Sequence, residues 1–267
     1  MMGADFSYRE RGYIVAKLEA LIFDVDGTLA DTERDGHRVA FNQAFAEAGL
    51  DWEWSVELYE KLLAVTGGKE RMRYYLENFN TDFELPENDV EFIAGLHQSK
   101  TAYYTALLES GSIPLRPGVK RLLDEARAKG LRLAIATTTT PINVEALLVN
   151  TLGKESMDWF EVIAAGDIVP AKKPAPDIYD YALKEMKLDA DVCMAFEDSE
   201  NGILSSRGAN LRTIIAINDY TKDHDFSGAA LVLDQLGEPG QGFKVFSGDA
   251  KGAEYVDIAL VEKLMQD

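Results

Sequence analysis

The chain of 267 residues contains a single cysteine. Cys193 alone can form neither an intrachain disulfide nor a metal site built from cysteines. It lies in the apolar stretch VCMAF, a context that favours a small buried residue of a β-strand. Disulfide-stapled folds and cysteine-based zinc sites are therefore excluded for one chain.

Positive charge is also scarce. The chain has 27 lysines and arginines against 46 aspartates and glutamates, which gives a net charge of −19. This charge disfavours binding to nucleic acid or to an anionic membrane. We therefore expect neither as a partner, and an anionic small molecule would need a local basic pocket or a metal ion.

No stretch approaches the roughly 18 consecutive apolar residues of a membrane-spanning helix. The first 20 residues carry charges and lack the apolar segment of a secretory signal. They also lack the Ser- and Arg-rich, acid-poor composition of a transit peptide. We expect a cytoplasmic protein, and a monomer.

Alternating strand and helix patterns dominate the second part of the chain. An apolar run at 20–23 predicts a buried strand of a parallel sheet. From residue 112 onward the alternation is typical of βαβ units. Further strands are expected at 131–137, 162–166, 192–196 and 212–217, and helices at 119–129, 143–152, 176–187 and 199–210. The Gly-rich stretch at 237–249 is expected to be a loop.

Residues 37–109 show helical patterns and no convincing strand. The sequence therefore predicts an α/β fold with a doubly wound core at residues 1–34 and 112–267. An all-helical cap is expected at residues 35–111. An insertion directly after the first strand would overhang the carboxyl end of that strand, so we expect the cap to act as a lid.

Polar residues follow the predicted strands at their carboxyl ends, the edge where open α/β sheets bind ligands. Asp24 and Asp26 stand two residues apart after the first strand, so both side chains can point the same way. Later strands are followed by Thr137, Lys173, Glu197 and Asp198. These residues are expected to meet at one rim of the sheet.

The acidic residues of this rim predict a metal site. Asp24, Glu197 and Asp198 would place three carboxylates close together, and like charges at that separation need a cation. Hard oxygen ligands that leave positions free for water and phosphate oxygens favour Mg²⁺.

The same rim suits phosphoryl transfer. Asp24 held against Mg²⁺ can act as a nucleophile. Lys173 would neutralise further negative charge, and the Thr137 hydroxyl would hold a phosphoryl oxygen. Asp26 can protonate the leaving alcohol and later activate water.

Four motifs in this order resemble those of the haloacid dehalogenase superfamily. They are DVDGT at 24–28, Thr137, KPAPD at 173–177 and ED at 197–198. The resemblance implies a Rossmann-like core with a helical cap and an aspartyl-phosphate on Asp24. It also implies Mg²⁺ held by Asp24, the backbone carbonyl of Asp26 and Asp198, with Glu197 beside them. The second aspartate of the first motif points to phosphatases and phosphomutases.

The stretches at 31–42 and 66–75 resemble the CbbY branch of this superfamily, whose members act on xylulose-1,5-bisphosphate. This resemblance implies that Glu33 and His37 face the sugar and that a cap loop closes over the distal phosphate. The loop residues are Gly68, Lys69 and Arg71, and Thr138 completes the substrate-binding set. Alternatively, His37 only caps or stacks on its helix, and Lys69 and Arg71 only form a solvated first turn.

The predicted function is that of a Mg²⁺-dependent phosphatase that hydrolyses a phosphorylated sugar, such as xylulose-1,5-bisphosphate, through an aspartyl-phosphate. A β-phosphoglucomutase-like phosphotransferase with the same core is the main alternative, because it would return the phosphate to a sugar. A non-catalytic binding protein of this fold would be expected to carry at least one damaged motif. None of the four motifs is damaged.

Overall fold

The computed structural model describes residues 17–266. The predictions for residues 1–16, that they belong to the core domain and form no secretory signal, lie outside this range. Within residues 17–266, no helix combines the length and the apolar character needed to cross a membrane.

A seven-stranded sheet forms the centre of the described structure, in the strand order β3-β2-β1-β4-β5-β6-β7. The strands are β1 (Ala20–Phe23), β2 (Arg132–Thr137), β3 (Val162–Ala165), β4 (Cys193–Glu197), β5 (Arg212–Ala216), β6 (Leu231–Leu233) and β7 (Val245–Gly248). All neighbouring pairs are parallel except β6 and β7. The predicted parallel α/β fold is therefore confirmed, with an antiparallel strand at one edge.

Nine α-helices occur within residues 17–266. They are α1 (Arg38–Glu47), α2 (Val56–Leu62), α3 (Gly68–Asn78), α4 (Asp89–Glu109), α5 (Val119–Ala128), α6 (Pro141–Leu152), α7 (Asp177–Met186), α8 (Glu200–Gly208) and α9 (Ile258–Leu264). One turn of π-helix at Glu33–His37 leads into α1. The Ser199 side chain accepts a hydrogen bond from the backbone of Gly202, which satisfies a free donor at the start of α8.

The predicted strands and helices of the second part begin and end within two residues of the observed ones. The predicted loop at 237–249 is wrong in its second half, because β7 occupies Val245–Gly248. All four residues of β7 are exposed, so no alternation of apolar and polar residues marks the strand in the sequence. Backbone pairing with β6 holds it instead.

Strand β1 is buried on both faces. Leu21 and Phe23 pack into the cluster formed with α5, α6 and α9, whereas Ala20 and Ile22 pack on the opposite face beside α7. Helices therefore cover both faces of the sheet, as a doubly wound core requires. The helices that cover the two faces leave the carboxyl end of β1 accessible.

Helices α1–α4, which lie between β1 and α5 in the sequence, form a separate helical layer with its own aromatic cluster. Its largest buried members are Phe41, Phe45, Trp52, Trp54, Tyr59 and Tyr75. Tyr220, which follows β5, also packs into this cluster, while Tyr104 and Leu108 of α4 pack into the core. Aromatic side chains thus connect the helical layer to the sheet. The predicted boundaries between core and cap, at residues 34 and 112, stay a prediction.

Candidate active site

The turn after β1 places Asp24 and Asp26 at the carboxyl edge of the sheet. The backbone of Asp24 still donates a hydrogen bond to Phe196 of β4, at 3.0 Å. Gly27 has a φ of +83°, and a Cβ at this position would lie 2.2 Å from Oδ2 of Asp198. Any side chain here would strain the turn and displace Asp198, so the turn requires glycine.

Lys173 connects three strand ends through its ammonium group. Its Nζ donates to Oδ1 of Asp24 at 2.6 Å, to Oε1 of Glu197 at 2.5 Å and to the carbonyl of Ala136 at 2.9 Å. Tyr179 of α7 donates its hydroxyl to the same Glu197 oxygen at 2.6 Å. Burial alone would lower the pKa of Lys173, but the charges of Asp24 and Glu197 raise it above its usual value. Lys173 therefore stays charged.

Asp24, Glu197 and Asp198 form a buried acidic group in which one oxygen of each lies within 4.8 Å of the others. Burial and the charge of Glu197, opposed by Lys173, raise the pKa of Asp24 to about 8. Burial and the charges of Asp24 and Glu197 raise the pKa of Asp198 well above its usual value. A divalent cation beside these oxygens would lower both pKa values, so this donor set fits Mg²⁺.

Asp26 belongs to a separate hydrogen-bond network. Its Oδ1 accepts from the hydroxyl of Thr32 at 2.5 Å and lies 2.8 Å from Nε2 of His37. Burial alone would raise the pKa of Asp26, but His37, Thr32 and Lys100 lower it below its usual range. Asp24 and Asp26 thus have pKa values shifted in opposite directions, the arrangement that lets two carboxyl groups take different roles.

Lys100 of α4 is a residue that the sequence analysis missed. Its Nζ lies 2.7 Å from Nδ1 of His37, and because an ammonium group only donates, Nδ1 must accept. The proton of the neutral imidazole is then on Nε2, which donates it to Asp26. The ammonium also lies about 5 Å from the ring centroids of Phe41 and Tyr104.

Lys100 is only 4% exposed, and burial lowers its pKa to about 8. A signal for it exists in the sequence, because Lys100 is four residues from both Leu96 and Tyr104 and so lies on the apolar face of its helix. His37 also stacks on Tyr104 with the ring centroids 4.0 Å apart. The ring contact of His37 is thus with α4 and not with its own helix, and a contact of His37 with the sugar stays a prediction.

Arg71 of α3 is held inside the helical layer. It is 6% exposed, and its NH1 donates to the hydroxyl of Tyr59 at 2.7 Å. Tyr59 in turn donates to Oε2 of Glu33 at 2.5 Å, and that oxygen lies 3.6 Å from NH1 of Arg71. Arg71 is therefore not a solvated residue of a helix start, and Tyr59 is a further partner that the sequence did not reveal.

Lys69 is more exposed and bridges the helical layer to the core. Its Nζ donates to Oδ2 of Asp167 at 2.7 Å, while Oδ1 of Asp167 lies 3.0 Å from Nζ of Lys172. Lys172 also donates to Oε1 of Glu70 at 2.7 Å. Hydrogen bonds from the two lysines lower the pKa of Asp167 to about 2. Gly68 leaves room for His97, since a Cβ there would lie 2.6 Å from Nε2 of His97.

Two cavities open beside Asp26. One of about 320 Å³ is lined by Asp24, Lys173, Glu197, Asp198 and Asn218, and the other, of about 110 Å³, is lined by His37, Gly68, Lys69, Lys100 and Lys172. Asp26, Glu33, Arg71 and Thr138 border both cavities. Thr137 borders neither cavity, and its hydroxyl accepts from the backbone of Thr139 at 3.3 Å. The remaining predicted site residues thus lie around one connected region.

Comparison with known proteins shows consistent similarities. The family model of haloacid dehalogenase-like hydrolases matches residues 18–210. The CbbY protein of Rhodobacter capsulatus is 53% identical over 213 residues, which cover 80% of this chain and 91% of that protein.

Two solved structures of CbbY from Rhodobacter sphaeroides are also similar. The one in complex with phosphate has a TM-score of 0.76 and 46% identity, and covers 82% of this chain and 94% of its own. The other, a variant in complex with xylulose-(1,5)bisphosphate, has a TM-score of 0.77 and 45% identity with the same coverage.

The lowered pKa of Lys100 leads to a prediction for Lys100→Met. Between pH 8 and 10.5 the unfolded chain holds a proton on Lys100 that the folded protein has released, so the stability of the wild type rises with pH. The methionine variant lacks this gain. We expect its free energy of unfolding to fall relative to the wild type over this range, by up to roughly 3 kcal/mol.

Urea unfolding at pH 7, 9 and 10.5 measures this difference. The exposed Lys61 of α2 provides the control, because Lys61→Met also replaces a lysine of the helical layer but lies outside the network of Asp26, His37 and Lys100. A difference between wild type and Lys100→Met that does not change with pH would contradict the pKa of Lys100.

Proposed function

This chain belongs to the haloacid dehalogenase-like hydrolases and is a phosphatase, and we propose that it hydrolyses a sugar bisphosphate through an aspartyl-phosphate on Asp24. The observation that carries the proposal is the position of Asp24. This carboxylate belongs to the buried acidic group, accepts from Lys173 and lines the larger cavity. It can therefore approach a phosphoryl group while Lys173 offsets part of the negative charge.

In the first step, an oxygen of Asp24 forms a bond to phosphorus and the bond from phosphorus to the sugar oxygen breaks. The leaving oxygen takes a proton from Asp26, which becomes a carboxylate that accepts hydrogen bonds from Thr32 and His37. In the second step, Asp26 removes a proton from water, which attacks the aspartyl-phosphate and releases inorganic phosphate. Asp26 is a carboxylate when this step begins, and His37, Thr32 and Lys100 favour that form by lowering its pKa against the effect of burial. The proton that it takes from water is the one that it donates in the next cycle.

We propose Mg²⁺ as the cofactor, held by Asp24, the backbone carbonyl of Asp26 and Asp198, with Glu197 beside them. When bound, it would screen the charge between the Asp24 carboxylate and the phosphoryl group. Its fit rests on the three buried carboxylates and on the raised pKa values of Asp24 and Asp198.

The smaller cavity supports a doubly phosphorylated substrate. Lys69, Arg71 and Lys172 line it, which gives positive charge in a protein of net charge −19. We propose that the helices of residues 35–111 act as a cap and that these cations bind the second phosphate. A phosphate there would replace Asp167 as the partner of Lys69. A complex of CbbY with xylulose-(1,5)bisphosphate supports this class of substrate.

Phosphate release across a panel of sugar mono- and bisphosphates, with Mg²⁺ or with a chelator, tests the proposal. We expect Mg²⁺-dependent release that is fastest for a pentose bisphosphate. Transfer of the phosphate to a second sugar, with no release of inorganic phosphate, would instead support a phosphotransferase.

Asp24→Asn is expected to abolish turnover, because an amide is not a nucleophile towards phosphorus. Circular dichroism should show an intact fold. Asp82→Asn, at an exposed position of the helical layer, is the control and should keep full activity. Substantial activity in Asp24→Asn would rule out the aspartyl-phosphate.

Asp26→Asn is expected to lose about 10²- to 10⁴-fold in kcat on a sugar phosphate, because the leaving alkoxide needs a proton. An aryl phosphate has a more stable leaving group and should lose less. Parallel assays of the two substrates measure the difference. Equal losses on both would remove Asp26 from the acid–base role.

Lys69→Ala and Arg71→Ala are expected to lower kcat/KM for a sugar bisphosphate about 10- to 150-fold each, because a hydrogen bond to a charged group contributes roughly 1.5–3 kcal/mol. A small aryl monophosphate has no second phosphate for these residues to bind and should be almost unaffected. Arg73→Ala is the matched control, since Arg73 lies on the same helix but pairs with Asp89. If both substrates lose activity alike, the cap loop does not bind a distal phosphate.

A further inference from the structure

Arg116 lies in the segment that joins α4 to α5, and its exposed fraction is 7%. Its guanidinium group is fully engaged inside the protein. NH1 donates to the carbonyls of Gly27 and Ala216, NH2 donates to those of Ile217 and Asp234, and Nε lies 3.3 Å from Oδ1 of Asp31. Five donors thus meet four backbone carbonyls and one carboxylate.

These carbonyls come from three separate parts of the sheet edge: the turn after β1, the end of β5 and the end of β6. The distances are 2.7 Å to Ala216, 2.5 Å to Ile217 and 2.7 Å to Asp234. Only a planar group with several fixed donors can satisfy carbonyls that converge in this way. A lysine would keep the charge but could not make the same set of bonds.

Two of these bonds lie next to the acidic group. Gly27 directly follows Asp26, and a Cβ on Gly27 would contact Asp198. Ile217 directly precedes Asn218, whose Nδ2 donates to Oδ2 of Asp198 at 2.7 Å. One guanidinium group therefore connects the turn that carries Asp26 to the segment that holds Asp198.

We propose that Arg116 is a positioning residue that sets the separation between Asp26 and Asp198, two of the residues assigned above to Mg²⁺. The inference rests on the proposed function, because it concerns the same metal site. Groups behind the ligands of a metal orient those ligands, and their loss typically weakens metal binding about 10- to 100-fold.

Arg121 of α5 offers a matched control. It is also partly buried, and its NH2 donates to the backbone carbonyls of Gly237 and Val256, both at 2.9 Å. Its Nε donates to Glu238 at 3.1 Å. None of these bonds lies beside the acidic group, so Arg121→Lys should cost stability without affecting the metal site.

The experiment compares Arg116→Lys and Arg121→Lys in the full chain. Isothermal titration calorimetry with Mg²⁺ alone measures binding, and thermal denaturation measures Tm. We expect both variants to lower Tm, but only Arg116→Lys to weaken Mg²⁺ binding, by about 10- to 100-fold. At saturating Mg²⁺, kcat of Arg116→Lys should recover towards the wild-type value.

Unchanged Mg²⁺ affinity in Arg116→Lys, or an equal loss in both variants, would overturn the inference. A wild type that binds no Mg²⁺ would instead overturn the proposed function. If Arg116→Lys does not fold, Asp31→Asn replaces it, since the Asp31 side chain is 64% exposed and contacts Nε of Arg116. Asp31→Asn should weaken Mg²⁺ binding to a smaller degree, and unchanged affinity in that variant would also overturn the inference.

Discussion

The buried ion pairs of Lys173 with Asp24 and Glu197 are the interactions on which the site depends. Three charged groups out of contact with water are stable only when each has a partner of opposite sign and good geometry. Lys173 meets this condition with hydrogen bonds at 2.6 Å and 2.5 Å, and Tyr179 provides Glu197 with another donor. Removal of Lys173 would leave two buried carboxylates without a counter-charge at the edge of the sheet.

The helical layer gives Asp26 different surroundings from those of Asp24, although only Val25 separates the two residues. His37 leads into α1 and Lys100 lies on α4, so the partners of Asp26 come from the layer, whereas Lys173 and Glu197 come from the core. Packing of the layer on the sheet therefore completes the network around Asp26. In the proposed mechanism Asp26 is the carboxylate that protonates the leaving oxygen.

The fold was largely predictable from the alternation of strand and helix patterns. The core of the site was predictable because parallel strands end at one edge of the sheet, so the residues that follow each strand meet there. Asp24 and Lys173 follow buried apolar strands whose pattern is visible in the sequence. The position of Lys100 on the apolar face of its helix is visible in the sequence, but its contact with His37 is not, because the two residues are 63 positions apart. Arg116 was missed for the same reason, as its bonds span up to 118 residues. Strand β7 lacks any apolar pattern, because backbone pairing alone defines it.

Ion pairs connect α3 to the core at the protein surface. Lys69, Asp167, Lys172 and Glu70 are linked by contacts of 2.7–3.0 Å, but their side chains are partly exposed. Exposed pairs contribute only about 0–1 kcal/mol each and are screened at physiological ionic strength. These ion pairs therefore contribute little to holding α3 against the core, and added salt would weaken that contribution further.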